Sequence, residues 1–315
     1  MTETSGDQRG TGLVSIIIPC FNQERFLADA IDSARAQTWP SIETVVIDDG
    51  STDSSVAIAR SYPDVRVVSQ ANQGLATARN VGLHVSRGEI LIFLDADDRL
   101  LPQAAEAGVE CLDRNPSASF AFGRCVLIDE GGGVMKTDQP RVTMDFYREL
   151  LLRNYIWTPA LVAFRRRIFD RVGGFDPRVN PSADYELYLR ISREHEIVAH
   201  DVLVAEYRRH AANMTGDPVL MLRAILSVLR SEWRFARRSP ECRAAYREGV
   251  LRWRGFYGEY LVERFRGKLH RRGERFAAVQ DAARLLHLYP RGVAHHLRKK
   301  LALSLRITHT SHSLR

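Results

Sequence analysis

With 315 residues, 45% of them hydrophobic and 26% charged, the chain is long enough for one or two globular domains, and no run approaches the roughly 20 apolar residues of a membrane-spanning helix. Residues 1–12 lack the basic start and apolar run of a secretory signal and are expected to form a disordered lead; four scattered cysteines (Cys20, Cys111, Cys125, Cys242) argue against a disulfide framework or zinc site and for a reducing cytoplasm. The net charge of +7 is uneven: residues 1–215 hold 23 Lys/Arg against 30 Asp/Glu and residues 216–315 hold 22 against 8, so a region near −7 precedes one near +14.

Val14 to Ile18 is a β-branched run ended by Pro19 and predicts a buried strand. From Arg25 to Gln37 the apolar residues recur at helical spacing. Thr44 to Ile47 predicts a second strand closed by Asp48-Asp49-Gly50-Ser51, with Ser51 or Thr52 placed to cap a helix through Ala59. Val65 to Ser69 predicts a third strand, Ala76 to Val85 a helix, and Ile90 to Leu94 a fourth strand. Alternating strands and helices predict an α/β fold, Rossmann-like, with a mostly parallel central sheet flanked by helices. Ligands bind at the carboxyl ends of such strands. Here those ends carry Pro19-Cys20-Phe21-Asn22, Asp48-Asp49 and Asp95-Ala96-Asp97-Asp98.

No Gly-x-Gly-x-x-Gly follows the first strand and no Gly-x-x-x-x-Gly-Lys-Ser/Thr occurs anywhere, so the usual glycine-loop routes to phosphate binding are unsupported. A carboxylate cluster suits a hard divalent cation, Mg²⁺ or Mn²⁺, shared with a diphosphate. An isolated Asp-x-Asp (a DXD motif) arises about once by chance in a chain this long, and taken alone it reads equally well as a solvated turn.

Order along the chain narrows the choice. Ser15-Ile16-Ile17-Ile18-Pro19-Cys20-Phe21-Asn22, Ser33 to Thr38, Val46-Ile47-Asp48-Asp49-Gly50-Ser51-Thr52-Asp53, Gly74 to Gly82, and Gly88 to Asp98 resemble, in sequence, the donor half of the family 2 glycosyltransferases. That resemblance implies a GT-A fold for residues 13–215 and a nucleoside-diphosphate sugar as donor. It also implies roles: Pro19, Phe21 and Asn22 lining the nucleobase pocket, Asp49 accepting from the base, and Arg79 near the phosphates. Asp95 would face the ribose or the metal, Asp97 would bind the cation, and Asp98 would stand beside the donor. Each has a bland alternative: Phe21 packing, Asp49 capping a turn, Arg79 on a solvated helix face.

Further on, Trp157-Thr158-Pro159 leads into Ala160 to Phe164, then Val172-Gly173-Gly174-Phe175-Asp176 and Ala183-Asp184-Tyr185-Glu186. These again resemble the family, which usually has Glu-Asp where this chain has Ala183-Asp184. Asp184 is the expected base, since inverting sugar transfer needs a carboxylate at the acceptor hydroxyl; its plain alternative is a helix N-cap. Glu186 ranks second, and Trp157 is either an acceptor-facing ring or a core residue. In Glu206-Tyr207-Arg208-Arg209-His210, His210 is a candidate metal ligand or phosphate contact, or a solvent-facing His. The function expected is metal-dependent inverting glycosyl transfer to a carbohydrate or lipid-linked acceptor in polysaccharide or glycolipid synthesis. The missing Glu keeps a catalytically silent sugar-nucleotide-binding or scaffold protein in view.

Past Gly216-Asp217-Pro218, Val219 to Arg238, Ala244 to Phe265 and Arg275 to Leu288 read as helices, the last with a stop at Tyr289-Pro290. Residues 216–315 are thus a basic helical region, its arginines either a solvated face or a peripheral contact with anionic membrane. No nucleic-acid-binding motif accompanies the charge.

Overall fold

The computed structural model describes residues 12–135, 139–211, 213–271 and 275–298. The expected lead lies outside the described residues except for Gly12, whose carbonyl accepts the indole N–H of Trp39 at 2.9 Å. The chain divides into two compact units, Met1–Asn213 and Met214–Arg315.

The first unit opens with the alternation expected. Strand β1 (Val14–Cys20) is buried throughout, as a β-branched run between two neighbours must be. Helix α1 (Leu27–Arg35), β2 (Ile42–Asp48), α2 (Ser55–Arg60), β3 (Arg66–Ser69), α3 (Leu75–Val85) and β4 (Ile90–Phe93) follow. The four strands lie parallel in the order β3-β2-β1-β4. Their register pairs Cys20 with Asp48 and Asp48 with Ser69, so the polar strand ends share one edge. At the opposite edge Ser15 Oγ donates to Glu43 and accepts from Gly88 N–H. Helix α3 seats on this sheet at Gly82, where a Cβ would come within 2.2 Å of Ile17 Cγ2. The helix after β2 starts later than the sequence suggests: Ser54 is its N-cap and makes no side-chain cap. Ser51 Oγ is engaged elsewhere, accepting from Asn22 N–H.

The second half of the sheet is mixed. It comprises β5 (Arg99–Leu100), α4 (Ala104–Arg114), β6 (Phe120–Ile128), β7 (Val134–Met135), α5 (Phe146–Leu152), β8 (Val162–Arg165), α6 (Arg167–Val172), α7 (Ala183–Ser192) and β9 (Ile197–Arg208). Strand β8 runs antiparallel between β4 and β6, while β9 lies parallel to β6 and carries β5 at its edge. An aromatic core joins the halves: Phe93 meets Phe164 and Phe175 edge-on, with ring centroids 6.0 and 4.8 Å apart.

The second unit holds α8 (Pro218–Ala236), α9 (Pro240–His270) and α10 (Arg275–Leu288). Asp217 caps α8 by accepting from Val219 and Leu220 N–H, and Ser239 caps α9. Helix α10 ends at Leu288, before Tyr289-Pro290 as expected, and residues 290–298 are helical again beyond that break. Proline lacks only the N–H that a first helical turn leaves unpaired. Among the described residues no helix is long and apolar enough to cross a membrane.

Candidate active site

The strand ends converge on a crevice whose walls are tied together by side chains. Asn22, at φ 52°, accepts the Thr52 N–H at 2.8 Å, and Asp53 accepts from Glu24 N–H. Pro19 is buried in β1, whereas the ring of Phe21 is 44% exposed at the strand's end. Asp49 is buried and its carboxylate is taken up by the fold: it accepts from the Gln70 amide and from Gln73 and Gly74 N–H at 2.7–2.9 Å. It therefore fixes the loop that delivers α3.

Helix α3 carries Arg79 under the crevice. This guanidinium is 2% exposed, donates to Asp95 Oδ1 at 2.6 Å, and lies over the Phe175 ring at 5.4 Å. Burial opposes its charge, and the fields of Asp95 and Asp184 more than restore it. Phe175 is set by the Gly173-Gly174 turn: Asn80 accepts the Phe175 N–H and donates to its carbonyl, both at 2.8 Å. Gly174 allows this approach, since a Cβ there would sit 2.2 Å from Asn80 Oδ1.

Asp184 lies in the first turn of α7, two residues beyond its N-cap Ser182. Its carboxyl is pushed up to about 6, first by loss of hydration and further by Asp95, against the lowering pull of Arg79 and the Tyr185 N–H. Tyr188, one turn on, is fully buried, and its hydroxyl feels the same three charges, Asp184, Arg79 and Asp95. Among the described residues the Tyr188 hydroxyl, Arg79 Nε and Ser182 Oγ have no hydrogen-bond partner. Of these, Arg79 and Tyr188 share the fields of Asp95 and Asp184, so their unused polar capacity lies with the site's charges. Ala183 is fully buried, so a carboxylate at that position would have no exposed place here.

The acidic motif splits three ways. Asp95 faces Arg79. Asp97 Oδ2 lies 2.9 Å from His210 Nε2 and accepts from the Asn213 amide at 3.2 Å. Burial raises its pKa, as does Asp95, and His210 offsets part of this. Asp98 corrects the expectation that it stands beside the donor: it is 1% exposed, accepting from Thr158 Oγ at 2.8 Å and Arg208 N–H at 2.9 Å. Burial first, then Asp97 and Asp95, raise its pKa well above the usual carboxylate range. Successive residues cannot all face one crevice, and Asp98 is the one spent on joining β9 to the motif.

Arg208, which opens the Arg-x-His run ending in His210, holds that join. Its buried guanidinium donates to the carbonyls of Asp97 and Glu130 and to Asp29, and lies over Phe26. Glu186, expected near the acceptor, instead grips Arg190, which donates to the carbonyls of Val172 and Gly174 and so braces the glycine turn. Trp157 is half-buried between α5 and β8.

Asp97 and His210 can hold a divalent cation. Among the described residues no cluster of three or more His, Cys, Asp or Glu forms a ready cage. Two side-chain ligands nonetheless suit Mg²⁺ or Mn²⁺, which complete their shells with phosphate oxygens and water.

The family model for glycosyl transferase family 2 matches residues 15–173, from β1 to the glycine turn. The chain belongs to glycosyl transferase family 2. An uncharacterized glycosyltransferase of Haemophilus influenzae is 29% identical over 187 residues, 58% of this chain and 63% of that protein. Another, from Rickettsia bellii, is 32% identical over 212 residues, 63% of this chain and 30% of that one. The chain thus spans under two thirds of the length of these relatives. Among solved structures, S. aureus TarS 1-349 in complex with UDP-GlcNAc superposes with a TM-score of 0.57 at 18% identity, covering 89% of this chain and 92% of that one. The mannosyltransferase PcManGT of Pyrobaculum calidifontis, in complex with GDP-Man and Mn²⁺, gives 0.56 at 19% identity over 93% and 81%. The family's GT-A fold is accordingly the fold of this chain's first unit.

Proposed function

We propose that the chain transfers a glycosyl group from a nucleoside-diphosphate sugar to an acceptor hydroxyl, with inversion at the anomeric carbon. The observation that carries this reading is that one buried cation, Arg79, answers both Asp95 and Asp184. It makes the donor-side motif and the candidate base one electrostatic unit. The nucleotide-sugars held by TarS and PcManGT support such a donor, and the Mn²⁺ of the latter supports a cation.

Asp184 takes the acceptor proton while the acceptor oxygen bonds to the anomeric carbon. The bond from that carbon to the diphosphate breaks, and its electron pair leaves with the nucleoside diphosphate. Asp97 and His210 would hold Mg²⁺ or Mn²⁺, whose charge would offset that of the departing group. Arg79 and Asp95 orient the donor, Pro19, Phe21 and Asn22 flank its base, and Asp49 serves through the loop it anchors. A carbohydrate or lipid-linked acceptor, polysaccharide or glycolipid synthesis, and a cytoplasmic location complete the reading. The net +14 of residues 216–315 supports peripheral contact with anionic membrane.

The test is Asp184→Asn, scored by donor binding and by transfer to a panel of sugar and lipid-linked acceptors. Binding intact with transfer lost agrees with the proposal; unchanged transfer removes Asp184 as the base. A native chain that binds donor but transfers to no acceptor is the silent binding protein that Ala183 keeps in view.

A further inference from the structure

Helix α10 has two apolar faces, and its unit uses one. Ala278, Leu285 and Leu288 are buried on the inner face, with the carboxylate of Asp281 sealed among Arg264, Lys268 and Arg284. On the opposite face Phe276, Val279 and Leu286 are 76%, 66% and 63% exposed, and Ala283 is exposed between them. Steps of three, four and three residues line these four along one side of a helix. In the helical run that follows, Leu297 is exposed as well. Large apolar side chains aligned in the open mark an interaction surface, unlike the scattered hydrophobes of ordinary surfaces.

Charge decides the occupant. From residue 271 to 315 there are ten Lys/Arg and only two acids, Glu274 and Asp281. Asp281 is buried against Arg264, Lys268 and Arg284 and offsets part of their charge, which leaves the stretch strongly cationic. Arg291 and Arg298 are exposed on the stretch continuing from the stripe. We propose that this face of α10 seats on an anionic lipid surface, Phe276, Val279 and Leu286 entering the headgroup–acyl boundary while Arg291 and Arg298 meet lipid phosphates. Pairing with a second copy through the same stripe would bring two cationic edges together, without the acidic partners that set paired helices in register. The inference deepens the membrane reading of this unit and stands apart from the transferase reading of the other.

The test is flotation of the full chain with vesicles of phosphatidylcholine alone or with phosphatidylglycerol added. The wild-type chain rises with the anionic vesicles and stays down with the neutral ones. Phe276→Ser, Val279→Ser and Leu286→Ser together cut the floated fraction at least about tenfold, while Met144→Ser, which removes an exposed apolar side chain from the first unit, does not. Equal flotation of the triple variant overturns the α10 face and leaves the membrane reading standing. A wild-type chain that stays down with anionic vesicles overturns both. A wild-type dimer that the triple variant turns into a monomer gives the face to a second copy and also overturns the proposal. Should the triple variant fold poorly, Phe276→Trp reads the same contact: its emission moves to the blue and is quenched by brominated acyl chains, and an unmoved spectrum overturns the proposal.

Discussion

Arg79 reaches Asp95 from beneath: the guanidinium is 2% exposed, the carboxylate 25%, and they meet at 2.6 Å. A cation so placed cannot trade its partner for water, so its charge is permanently aimed at the crevice. Asp184 lies within the same field.

Asp184 therefore titrates where a base is useful. Since its pKa is raised to about 6, the carboxylate is the minority form below that pH and the majority form above it. Transfer at subsaturating acceptor is expected to rise through about pH 6 and level off. Asp184→Asn should cost about 10²–10⁴-fold in kcat with donor affinity kept. A flat profile from pH 5 to about pH 8 would count against Asp184.

Removing Arg79 should move that profile. In Arg79→Met, Asp95 still raises the Asp184 carboxyl and the largest lowering influence, that of Arg79, is gone, so the acid limb shifts to higher pH. Donor affinity weakens as well. Arg79→Lys keeps a charge but loses the planar fork, so it should restore part of the profile and little of the affinity. An acid limb that stays in place in Arg79→Met would separate Arg79 from the base.

His210→Ala and Asp97→Asn should each weaken Mn²⁺ binding by about tenfold or more, measured calorimetrically or by the Mn²⁺ resonance signal. Asp98→Asn serves as the contrast, since its side chain faces Thr158 and the Arg208 N–H. Excess chelator should abolish transfer and leave the fold intact.

Arg208→Met should act on stability first. It leaves the part-buried bonds to the carbonyls of Asp97 and Glu130 unmade, and an acceptor shut off from water costs up to about 1–3 kcal/mol. A drop of roughly 2 kcal/mol in urea unfolding, with weakened Mn²⁺ binding, is expected. Unchanged Mn²⁺ affinity would make Arg208 a purely structural residue.

Local patterns carried most of the first unit's fold. Val14 to Ile18, Thr44 to Ile47 and Ile90 to Leu94 are runs with one sensible burial, and their strands lie within a residue or two of the expectation. The antiparallel insertion of β8 between β4 and β6 was not legible, because strand order is a long-range property. The same reason hid the site's supports. Arg208 is one arginine among many until β9 brings it to Asp97, 111 residues away in sequence. Asp98 and Glu186 carry the right chemistry beside the right motifs, and only the direction of their side chains removes them from the crevice. Tyr188 had a faint signal, one helical turn from Asp184 on the same face.

Gly82 bears on all of this from outside the site. With a Cβ at that position 2.2 Å from Ile17, a side chain there would lift α3 off the sheet, and Arg79 rides on the same helix less than one turn away. A side chain at position 82 should therefore shift Arg79 and, through it, the proton affinity of Asp184. A methyl group placed in the hydrophobic interior would be read out as a change in the pH at which the protein works.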